Sequence, residues 1–572
     1  MKSSQSWFAV AKVFSRLLCF ALSTVFAGVA VYGGSARPNV LLICVDDLKP
    51  LLGCYGYTAV KTPNIDRLAA RGVLFEKAYC NQAVCSPSRN SLMTGLRPTT
   101  LGIYDLSTNF RRAVPNAVTL SQYFMQNGYR AEALGKIYHV GHGNTNDPAS
   151  WSVPHWHPKG GGYALKESMA NPRPNNTGGP RGASTECADV PDNTYADGMI
   201  ADEAIKRLRE AKERKDQPFF LAVGFLKPHL PFVAPKKYWD LYKTESFELP
   251  KVQKPPLGAP EFAPTTWGEL RQYSDIPEVG PLTVDQQRRL IHGYHAAVSY
   301  MDAQVGRVLD ELDRLGLTEN TIIVLWGDHG WHLGDHGMWC KHTNYEQANR
   351  IPLIFSGPTI ARGGRSGALV ETVDIYPTLC ELAGLPVPDG LEGISVVRAL
   401  KDPAHATTKP AVFHVYPRSP KGIGELIGRA VRTDRYRLVE WKKPGAAPET
   451  AILELYDYQT DPDETRNLAS EKPEIVSELR AILYKLPEAK PQIRNTPVDN
   501  KKPTTEIKPK VDRAALFDRR DKNKDGKLTL EEFLIGQPDP QEAPKRFTLF
   551  DTNKDGVLSR EEFINAGKKF KN

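Results

Sequence analysis

Cys85 opens a short motif that combines a nucleophile with a nearby cation. The motif reads Cys85-Ser-Pro-Ser-Arg89, and because proline fits the first turn of a helix, it predicts that Cys85 lies at or beside a helix N-terminus. Backbone N–H groups and the helix dipole favour an anion there, and Arg89 lies one turn further on, over the same face. From these residues alone, an activated cysteine in an anion pocket and a structural helix cap are both open interpretations.

Polar residues follow three apolar runs that are typical of buried parallel strands. Residues 39–45 precede Asp46-Asp47, residues 219–225 precede Lys227-Pro-His229, and residues 321–326 precede Asp328-His329. Helices are predicted between or beside these runs, over residues 64–71, 119–127, 201–214 and 284–315. Strands alternating with helices predict an α/β domain with a doubly wound, mostly parallel sheet, whose ligand site lies at the carboxyl ends of the strands.

The acidic residues at these strand ends suggest a metal site. Asp46, Asp47 and Asp328 offer hard carboxylate oxygens suited to Ca²⁺ or Mg²⁺. A nitrogen ligand such as His329 is less usual for Ca²⁺, so the sequence indicates a metal more firmly than it indicates which metal. Taken alone, Asp46-Asp47 also fits a solvated turn at a strand end.

Two 12-residue segments near the C-terminus match the EF-hand calcium loop. Oxygen ligands are expected at positions 1, 3 and 5, a glycine at 6, a backbone carbonyl at 7 and a bidentate glutamate at 12. The expected ligands are Asp521, Asn523, Asp525, Lys527 and Glu532 in the first loop, and Asp551, Asn553, Asp555, Val557 and Glu562 in the second. We expect up to two Ca²⁺ ions here, with a structural or docking role that includes a calcium-dependent surface or polysaccharide partner as a hypothesis.

The formal net charge of +8 does not indicate a polyanion groove. The chain has 572 residues with 74 Lys+Arg and 66 Asp+Glu, and the excess lies mainly at its two ends. The first 36 residues carry Lys2, Lys12 and Arg16 without an acid, followed by an apolar run over 17–31. This layout is typical of a secretory signal peptide, with an uncleaved anchor as the alternative. We therefore expect an exported protein, periplasmic or extracellular, with no nucleic-acid partner.

The expected domain organisation follows from changes of pattern along the chain. From residue 411, four short runs over 412–415, 429–432, 436–439 and 454–457 predict a smaller antiparallel sheet, and a stretch rich in lysine, proline and threonine follows it. The predicted parts are a signal peptide (1–36), a catalytic α/β domain (37–410), its C-terminal antiparallel subdomain (411–486), a linker (487–511) and a paired helical EF-hand module (512–572).

The cysteine motif resembles the Cys-x-Pro-Ser-Arg signature of the type I sulfatases, which belong to the alkaline-phosphatase-like superfamily. The resemblance extends over about residues 38–468 and includes Thr94-Gly-Leu-Arg97, Thr62-Pro-Asn-Ile-Asp66, Gly135-Lys-Ile-Tyr-His139 and Gly327-Asp-His-Gly330. Within the family, Gly53-Cys-Tyr-Gly56, the segment 225–232 and the segment 328–336 are most similar to the iduronate-2-sulfatase branch.

The resemblance implies that a separate formylglycine-generating enzyme oxidises Cys85 to formylglycine. The hydrated aldehyde has two hydroxyls on one carbon, so one can attack sulfur and the other can later expel sulfate. By the same resemblance, Arg89 steadies this group, Lys136 and Lys341 hold sulfate oxygens, and His139 and His229 exchange protons. The implied metal ligands are Asp46, Asp47, the converted Cys85, Asp328 and His329. An odd count of seven cysteines beyond the signal segment agrees with one cysteine having such a task.

Other histidines and aromatic residues are weaker candidates. Loop positions near a substrate cleft are favoured over a zinc site for His142, His155 and His157. Packing or surface roles fit His292, His295 and His414. For the segment from Trp331 to Trp339, a sugar pocket and a role away from the substrate are equally open interpretations.

The reaction expected from the resemblance is hydrolysis of sulfate esters on a sulfated oligo- or polysaccharide. An iduronate 2-sulfate unit is the first expectation for the substrate, and another sulfated polysaccharide is the second. A phosphatase or phosphonate hydrolase of the same superfamily is an alternative enzyme, and a calcium-dependent polysaccharide-binding protein is the non-enzyme alternative.

Overall fold

The computed structural model describes residues 37–142, 144–174, 179–493, 513–535 and 543–566. It divides the chain into two compact units between residues 494 and 495. The predicted signal peptide and most of the predicted linker lie outside the described residues. Within them, no helix has the length and apolar character needed to cross a membrane, and none of the seven cysteines forms a disulfide.

The secondary structure alternates between strands and helices in the first unit. The strands are β1 Asn39–Val45, β2 Gly72–Tyr79, β3 Arg130–Gly135, β4 Thr185–Ala188, β5 Phe219–Phe225, β6 Phe232–Pro235, β7 Thr321–Gly327, β8 His332–Leu333, β9 Trp339–Cys340, β10 Arg350–Ile351, β11 Leu353–Ser356, β12 Gly364–Glu371, β13 Ala411–Arg418, β14 Leu426–Thr433, β15 Tyr436–Lys442, β16 Ile452–Asp457, β17 Lys527–Leu528 and β18 Leu558–Ser559. The α-helices are α1 Pro63–Ala70, α2 Cys85–Thr94, α3 Pro98–Leu101, α4 Leu120–Gln126, α5 Ala196–Glu213, α6 Lys236–Trp239, α7 Val284–Arg314, α8 Glu346–Asn349, α9 Ile375–Leu382, α10 Val397–Lys401, α11 Pro473–Leu483, α12 Arg513–Arg520, α13 Leu530–Leu534, α14 Ala543–Phe550 and α15 Arg560–Asn565.

A mixed eight-stranded sheet forms the centre of the first unit. Its order is β10-β2-β11-β7-β1-β5-β3, with β12 also paired to β2. β1 is parallel to both neighbours, so that Ile43 lies opposite Val223 on one side and Leu325 on the other. Every residue of β1 is buried, which explains its continuous apolar sequence. The predicted doubly wound, mostly parallel α/β fold is confirmed, with antiparallel pairing confined to β2, β10 and β11 and the β7–β11 contact.

Helices cover both faces of this sheet because alternate strand residues point to opposite sides. Leu41 and Ile43 of β1 share a core with α5 and α7, whereas Val40 and Leu42 share another with α2, α4 and α9. The predicted helices occur within two residues of their expected limits, except that α5 begins five residues early. Its first turn contains Gly198, a weak helix former, whose N–H donates to the Tyr300 hydroxyl of α7 at 2.7 Å.

The predicted small antiparallel sheet is also present, in the order β13-β14-β15-β16. A buried ion pair joins it to the first part of the unit, where Nη2 of Arg437 lies 2.6 Å from Oε2 of Glu346. The chain stays packed beyond the predicted start of the linker, because the Gln492 side chain accepts a hydrogen bond from the Tyr104 N–H at 2.7 Å. The part of the predicted linker from 494 to 511 lies outside the described residues.

The second unit contains two helix-loop-helix segments joined by a short sheet. Leu528 of β17 pairs with Leu558 of β18, and both side chains are buried in a core with four phenylalanines, Phe517, Phe533, Phe547 and Phe563. Capping boxes begin the helices that follow both loops, at Thr529 and Ser559. This is the predicted EF-hand pair.

Candidate active site

The carboxyl ends of β1 and β7 bring two of the predicted acidic pairs together. Val45 pairs with Gly327 in the parallel register, so the residues after each strand lie side by side. The backbone N–H of Asp47 donates to Oδ1 of Asp328 at 3.0 Å. Asp47 has a left-handed backbone, with φ of 58°. Such a conformation is uncommon for a non-glycine residue but is adopted most readily by Asp and Asn.

Cys85 lies beside these carboxylates at the start of α2. The helix begins at Cys85 itself, which agrees with the position predicted from Pro87. Its Sγ lies 3.4 Å from Oδ1 of Asp46 and 3.4 Å from Nε2 of His329. The side chain is buried, and burial, together with the negative charge of Asp46, raises the pKa of the thiol to about 12. The structure therefore does not support an activated thiolate at this position.

The cluster has the donor set of a site for a hard divalent cation. One ligand atom each from Asp46, Cys85, Asp328 and His329 lies within 4.8 Å of the others, and a second such group contains Asp47. His329 directs Nε2 into the cluster, 3.3 Å from Oδ1 of Asp47, because its Nδ1–H donates to the Gly330 carbonyl at 3.0 Å. Burial raises the pKa of Asp47 well above its usual range, and the charge of Asp46 adds to this effect. A bound cation would offset the cost of burying these carboxylates.

Three buried cations surround the carboxylates. Nε of Arg89 lies 2.9 Å from Oδ2 of Asp328, and its Nη1 donates to the Lys136 carbonyl. Nζ of Lys341 lies 3.0 Å from Oδ1 of Asp47, and Nζ of Lys136 pairs with Asp46. These contacts place all three predicted cations at the acidic cluster. The three cations balance the three carboxylates, so the site would carry a net positive charge for an anionic ester only with a divalent cation bound.

Lys136 reaches the cluster because two glycines allow neighbouring strands to approach closely. Gly135 ends β3 with φ of 69°, and a Cβ added there would lie 2.2 Å from the Gly224 carbonyl oxygen. A Cβ added at Gly224 would lie 2.2 Å from the Lys136 carbonyl oxygen. Any side chain at either position would therefore displace Lys136 from Asp46.

The two predicted proton-transfer histidines lie in the same cavity but have different partners. Nε2 of His139 lies 2.9 Å from Nδ1 of His142, and burial, reinforced by the charge of Lys136, lowers the pKa of His139 to about 2. Nδ1–H of His229 donates to the Leu230 carbonyl at 2.6 Å, which leaves its Nε2 at 3.0 Å from Oε1 of Glu269. His139 is thus held neutral. Burial and the charge of Lys341 also lower the pKa of His229, and the acidic partner Glu269 opposes this shift.

One cavity of about 730 Å³ is lined by Asp46, Cys85, Lys136, His139, His229 and Lys341. The cavity wall also contains residues that the sequence did not indicate, among them Arg181, Glu269, His342, Tyr416 and Arg418. These five lie in loops or on β13, outside the recognised motifs. Only their position in the folded chain connects them with Cys85, so no local sequence signal could have found them.

The weaker candidates are divided between the cavity and the core. His142 lines the cavity, whereas His155 is buried and its Nε2 lies 2.9 Å from the Gly135 carbonyl oxygen. Helix packing buries His292 and His295, and His414 is buried in the antiparallel sheet, as expected for packing roles. The sugar-pocket expectation for the segment from Trp331 to Trp339 is wrong. Its tryptophans are core residues and, in the part of the chain that the structure describes, none of its residues lines the cavity.

The predicted calcium-loop residues in the second unit occupy two similarly folded loops. The carboxylate of Asp521 accepts hydrogen bonds from the N–H groups of Asp525 and Gly526, and Glu532 folds back to the Lys522 N–H at 3.2 Å. Asn523 donates to Asp525, and the Lys527 N–H does the same. In the second loop, equivalent contacts link Asp551, Asn553, Asp555, Val557 and Glu562 with the loop backbone and with one another.

Buried carboxylates, a buried cysteine and fixed cations at the strand ends of a mostly parallel sheet fit an enzyme that acts on anionic esters. Comparison with known proteins specifies the class further. The sulfatase family model matches residues 38–385, and models described as "N-sulphoglucosamine sulphohydrolase, C-terminal" and "EF-hand domain pair" match residues 334–489 and 510–566. The chain belongs to the sulfatase family, which makes it a sulfuric ester hydrolase.

Individual relatives agree with this assignment. The chain is 36% identical to human iduronate 2-sulfatase over 507 residues, which cover 75% of this chain and 90% of the relative. It is 41% identical to the mouse iduronate 2-sulfatase, over 66% of this chain and 74% of the relative. A structure described as a complex with the substrate D-glucosamine-2-N,6-O-disulfate has the same fold, with a TM-score of 0.62 and 23% identity, covering 78% of this chain and 97% of the other.

Proposed function

We propose that this protein hydrolyses the sulfate ester of a 2-O-sulfated uronate unit in a sulfated carbohydrate. The human and mouse relatives named iduronate 2-sulfatase support this substrate. The observation that carries the proposal is the position of Cys85, whose Sγ lies 3.4 Å from both a carboxylate oxygen and an imidazole nitrogen of the acidic cluster. Conversion of Cys85 to formylglycine by a separate enzyme would place an aldehyde hydrate at this point, beside the acidic cluster.

The two groups that complete the site have separate contributions. Asp46, Asp47, Asp328 and His329, with the converted Cys85, would hold one Ca²⁺ or Mg²⁺, which would polarise a sulfate oxygen. The formylglycine hydrate would supply the two hydroxyls needed for covalent turnover.

The remaining side chains bind the sulfate and move protons. Lys136 and Lys341 hold sulfate oxygens, while Arg89 fixes Asp328 and the strand end that presents it. His139 takes the proton of the hydrate at Nδ1, which is buried and has no hydrogen-bond partner among the described residues. Because burial lowers the pKa of this ring to about 2, the transfer depends on the negative charge of the bound sulfate, which raises the pKa. His229 donates from Nε2 to the departing sugar oxygen in its doubly protonated form, because its Nδ1–H is committed to the Leu230 carbonyl. Glu269, at 3.0 Å from Nε2, favours that form.

Mass spectrometry and sulfate release together test this proposal. The full chain, purified from a host that contains a formylglycine-generating enzyme, should contain the aldehyde at position 85 and release sulfate from a 2-O-sulfated uronoside. Cys85→Ala should remain folded and inactive. Aryl sulfate should be hydrolysed far faster than the matched aryl phosphate. Active protein with an unmodified thiol, or a preference for the phosphate, would contradict the proposed chemistry.

The proposal extends to the other parts of the chain. Basic and apolar residues within 1–36 support export to the periplasm or the extracellular space. The paired loops of residues 512–572 support binding of up to two Ca²⁺ ions. Calorimetric titration of the full chain with Ca²⁺, compared with Glu532→Gln and Glu562→Gln, tests this binding directly.

A further inference from the structure

Arg181 lines the same cavity as Cys85 but has no role in the chemistry described above. It is partly buried, and its Nε is fully buried without a hydrogen-bond acceptor among the described residues. Its guanidinium lies 5.7 Å from the centroid of the Tyr273 ring, which fixes its position without using its donors. Buried guanidinium N–H groups are costly to leave unpaired, so this side chain is prepared for an acceptor from outside the chain.

The other cations of the cavity wall already have acceptors. Nζ of Lys227 donates to the carbonyls of His229 and Pro231, and Arg418 donates to a series of loop carbonyls, including Phe262 at 2.6 Å. Lys136 and Lys341 are paired with the metal-site aspartates. Arg181 is therefore the cation whose hydrogen-bonding capacity is unused among the described residues of this wall.

The acids of the wall that lie near the reacting centre do not neutralise Arg181. Glu269 is paired with Lys341 and His229, Asp197 accepts the N–H groups of Leu226 and Lys227, and Asp46 is paired with Lys136. No carboxylate of the described residues lies within ion-pair distance of Arg181. Its charge therefore acts on whatever occupies the cavity.

The neighbourhood of Arg181 is electropositive and polar. Burial lowers the pKa of His142, and the positive charge of Arg181 contributes to the same shift, which places the two side chains within electrostatic range. His142 contacts His139 of the reacting centre at 2.9 Å. Arg181 is thus separated from the sulfate-binding cations but lies on the same wall.

We propose that Arg181 forms a second anion subsite, which binds a carboxylate or an additional sulfate of the sugar whose sulfate ester reacts at position 85. This assignment rests on the proposed sulfatase function and deepens it. A guanidinium presents paired N–H donors that match the two oxygens of either anion. Arg181 would select substrates carrying two anionic groups over singly charged ones.

Paired substrates separate this role from the sulfatase chemistry itself. The first pair is a 2-O-sulfated hexuronoside and its methyl ester, which differ in the carboxylate charge. The second pair is a disulfated and a monosulfated hexosamine that share the scissile sulfate. Each pair is assayed for kcat/KM with the full-length parent, Arg181→Met and Arg181→Lys. The matched control is Arg362→Met, since Arg362 is 73% exposed and lies outside the cavity.

The measured quantity is the ratio of kcat/KM within each pair. Loss of a hydrogen-bonded charge pair predicts that Arg181→Met lowers the ratio about 10- to 100-fold, with partial rescue in Arg181→Lys. Arg362→Met should retain the parental ratio. A fall in the first pair alone identifies the anion as a carboxylate, and a fall in the second pair alone identifies it as a sulfate. Unchanged ratios in both pairs would overturn the subsite.

A binding measurement keeps the subsite testable apart from turnover. Calorimetric Kd values for the same four sugars, measured with full-length Cys85→Ala and with Cys85→Ala/Arg181→Met, should give the same change of ratio. If the unsubstituted chain released no sulfate but the Kd ratios changed on Arg181→Met, the proposed function would be refuted and the anion subsite would be supported. If sulfate release occurred but neither the kcat/KM ratios nor the Kd ratios changed on Arg181→Met, the anion subsite would be refuted and the proposed function would not.

Discussion

Glu269 is expected to position two catalytic side chains at once. Its Oε1 lies 3.0 Å from Nε2 of His229, and its Oε2 lies 2.9 Å from Nζ of Lys341. The carboxylate is 19% exposed, and these are its only ion-pair partners among the described residues. Glu269→Gln retains the size of the side chain and removes the charge that holds both groups.

The size of the effect follows from these distances. At an effective dielectric constant of about 20, unit charges about 3 Å apart attract by roughly 5 kcal/mol, which is an upper limit. The net contribution of a hydrogen bond to a charged group is about 1.5–3 kcal/mol, and Lys341 keeps its second partner, Asp47, at 3.0 Å. Because about 1.4 kcal/mol corresponds to a tenfold change in rate, we expect kcat to fall by about 10-fold in Glu269→Gln and about 100-fold in Glu269→Ala.

The loss should appear in kcat more than in KM. A positioned proton donor contributes mainly in the transition state, whereas Lys136 still binds the ground-state sulfate. Steady-state kinetics on a 2-O-sulfated uronoside separate the two parameters. The control is Glu261→Gln, since Glu261 is an exposed glutamate of the same cavity wall without an ion-pair partner among the described residues. If both Glu269 variants stayed within about threefold of the parent in kcat, the positioning role would be refuted.

Four further outcomes are expected. Chelation of divalent metal should abolish sulfate release, and adding Ca²⁺ or Mg²⁺ should restore it. Sulfate release that survives complete metal removal, verified by elemental analysis, would contradict the metal site. Deleting residues 499–572 should leave kcat/KM for sulfate release largely intact, since these residues belong to the second compact unit, and an inactive but folded truncate would show that the units cooperate. Arg437→Met should destabilise the first unit by about 3–5 kcal/mol, because it leaves the buried Glu464 without its ion-pair partner, whereas Glu346 keeps Arg432. Thermal unfolding measures this, and an unchanged midpoint would disprove it. Burial raises the pKa of Asp302 to about 6, so the folded protein binds more protons than the unfolded chain between about pH 4 and pH 6 and loses stability as pH rises through that window. Asp302→Asn should remove on the order of 3 kcal/mol of this pH dependence of stability. Parallel pH profiles of the unfolding free energy for variant and parent, measured by chemical denaturation, would count against it.

The strand ends were predictable because local sequence and global fold agree there. A strand buried on both faces requires an uninterrupted apolar run, and the polar residues that end the run mark the carboxyl edge. Asp46, Asp328 and His229 were therefore recognisable as edge residues before the structure was known. Their mutual distances depend on the order β7-β1-β5, which the runs themselves do not encode.

The segment from Trp331 to Trp339 shows where this reasoning failed. Aromatic and polar side chains next to a metal site fit a sugar pocket by composition alone. In the structure, Trp331 packs edge-on against Phe232 and lies under the Lys341 ammonium, so that it supports the site from behind. Burial of an aromatic residue depends on what packs over it, and a local pattern cannot supply that information.

The sequence alone determined the sheet type and the two EF-hand motifs, because these depend on continuous apolar runs and on residue types at short, fixed spacings. The class of reaction and the converted cysteine were expectations from the resemblance of those motifs to the sulfatases. Tertiary structure alone decided that burial raises the pKa of the Cys85 thiol, that Glu269 joins His229 to Lys341, and that Arg181 lines the same cavity as Cys85 with an unpaired Nε among the described residues. The physical reason is the range of the interactions. Backbone geometry and strand burial are set by neighbours in sequence, whereas desolvation and charge pairing are set by neighbours in space, which come from loops distant along the chain.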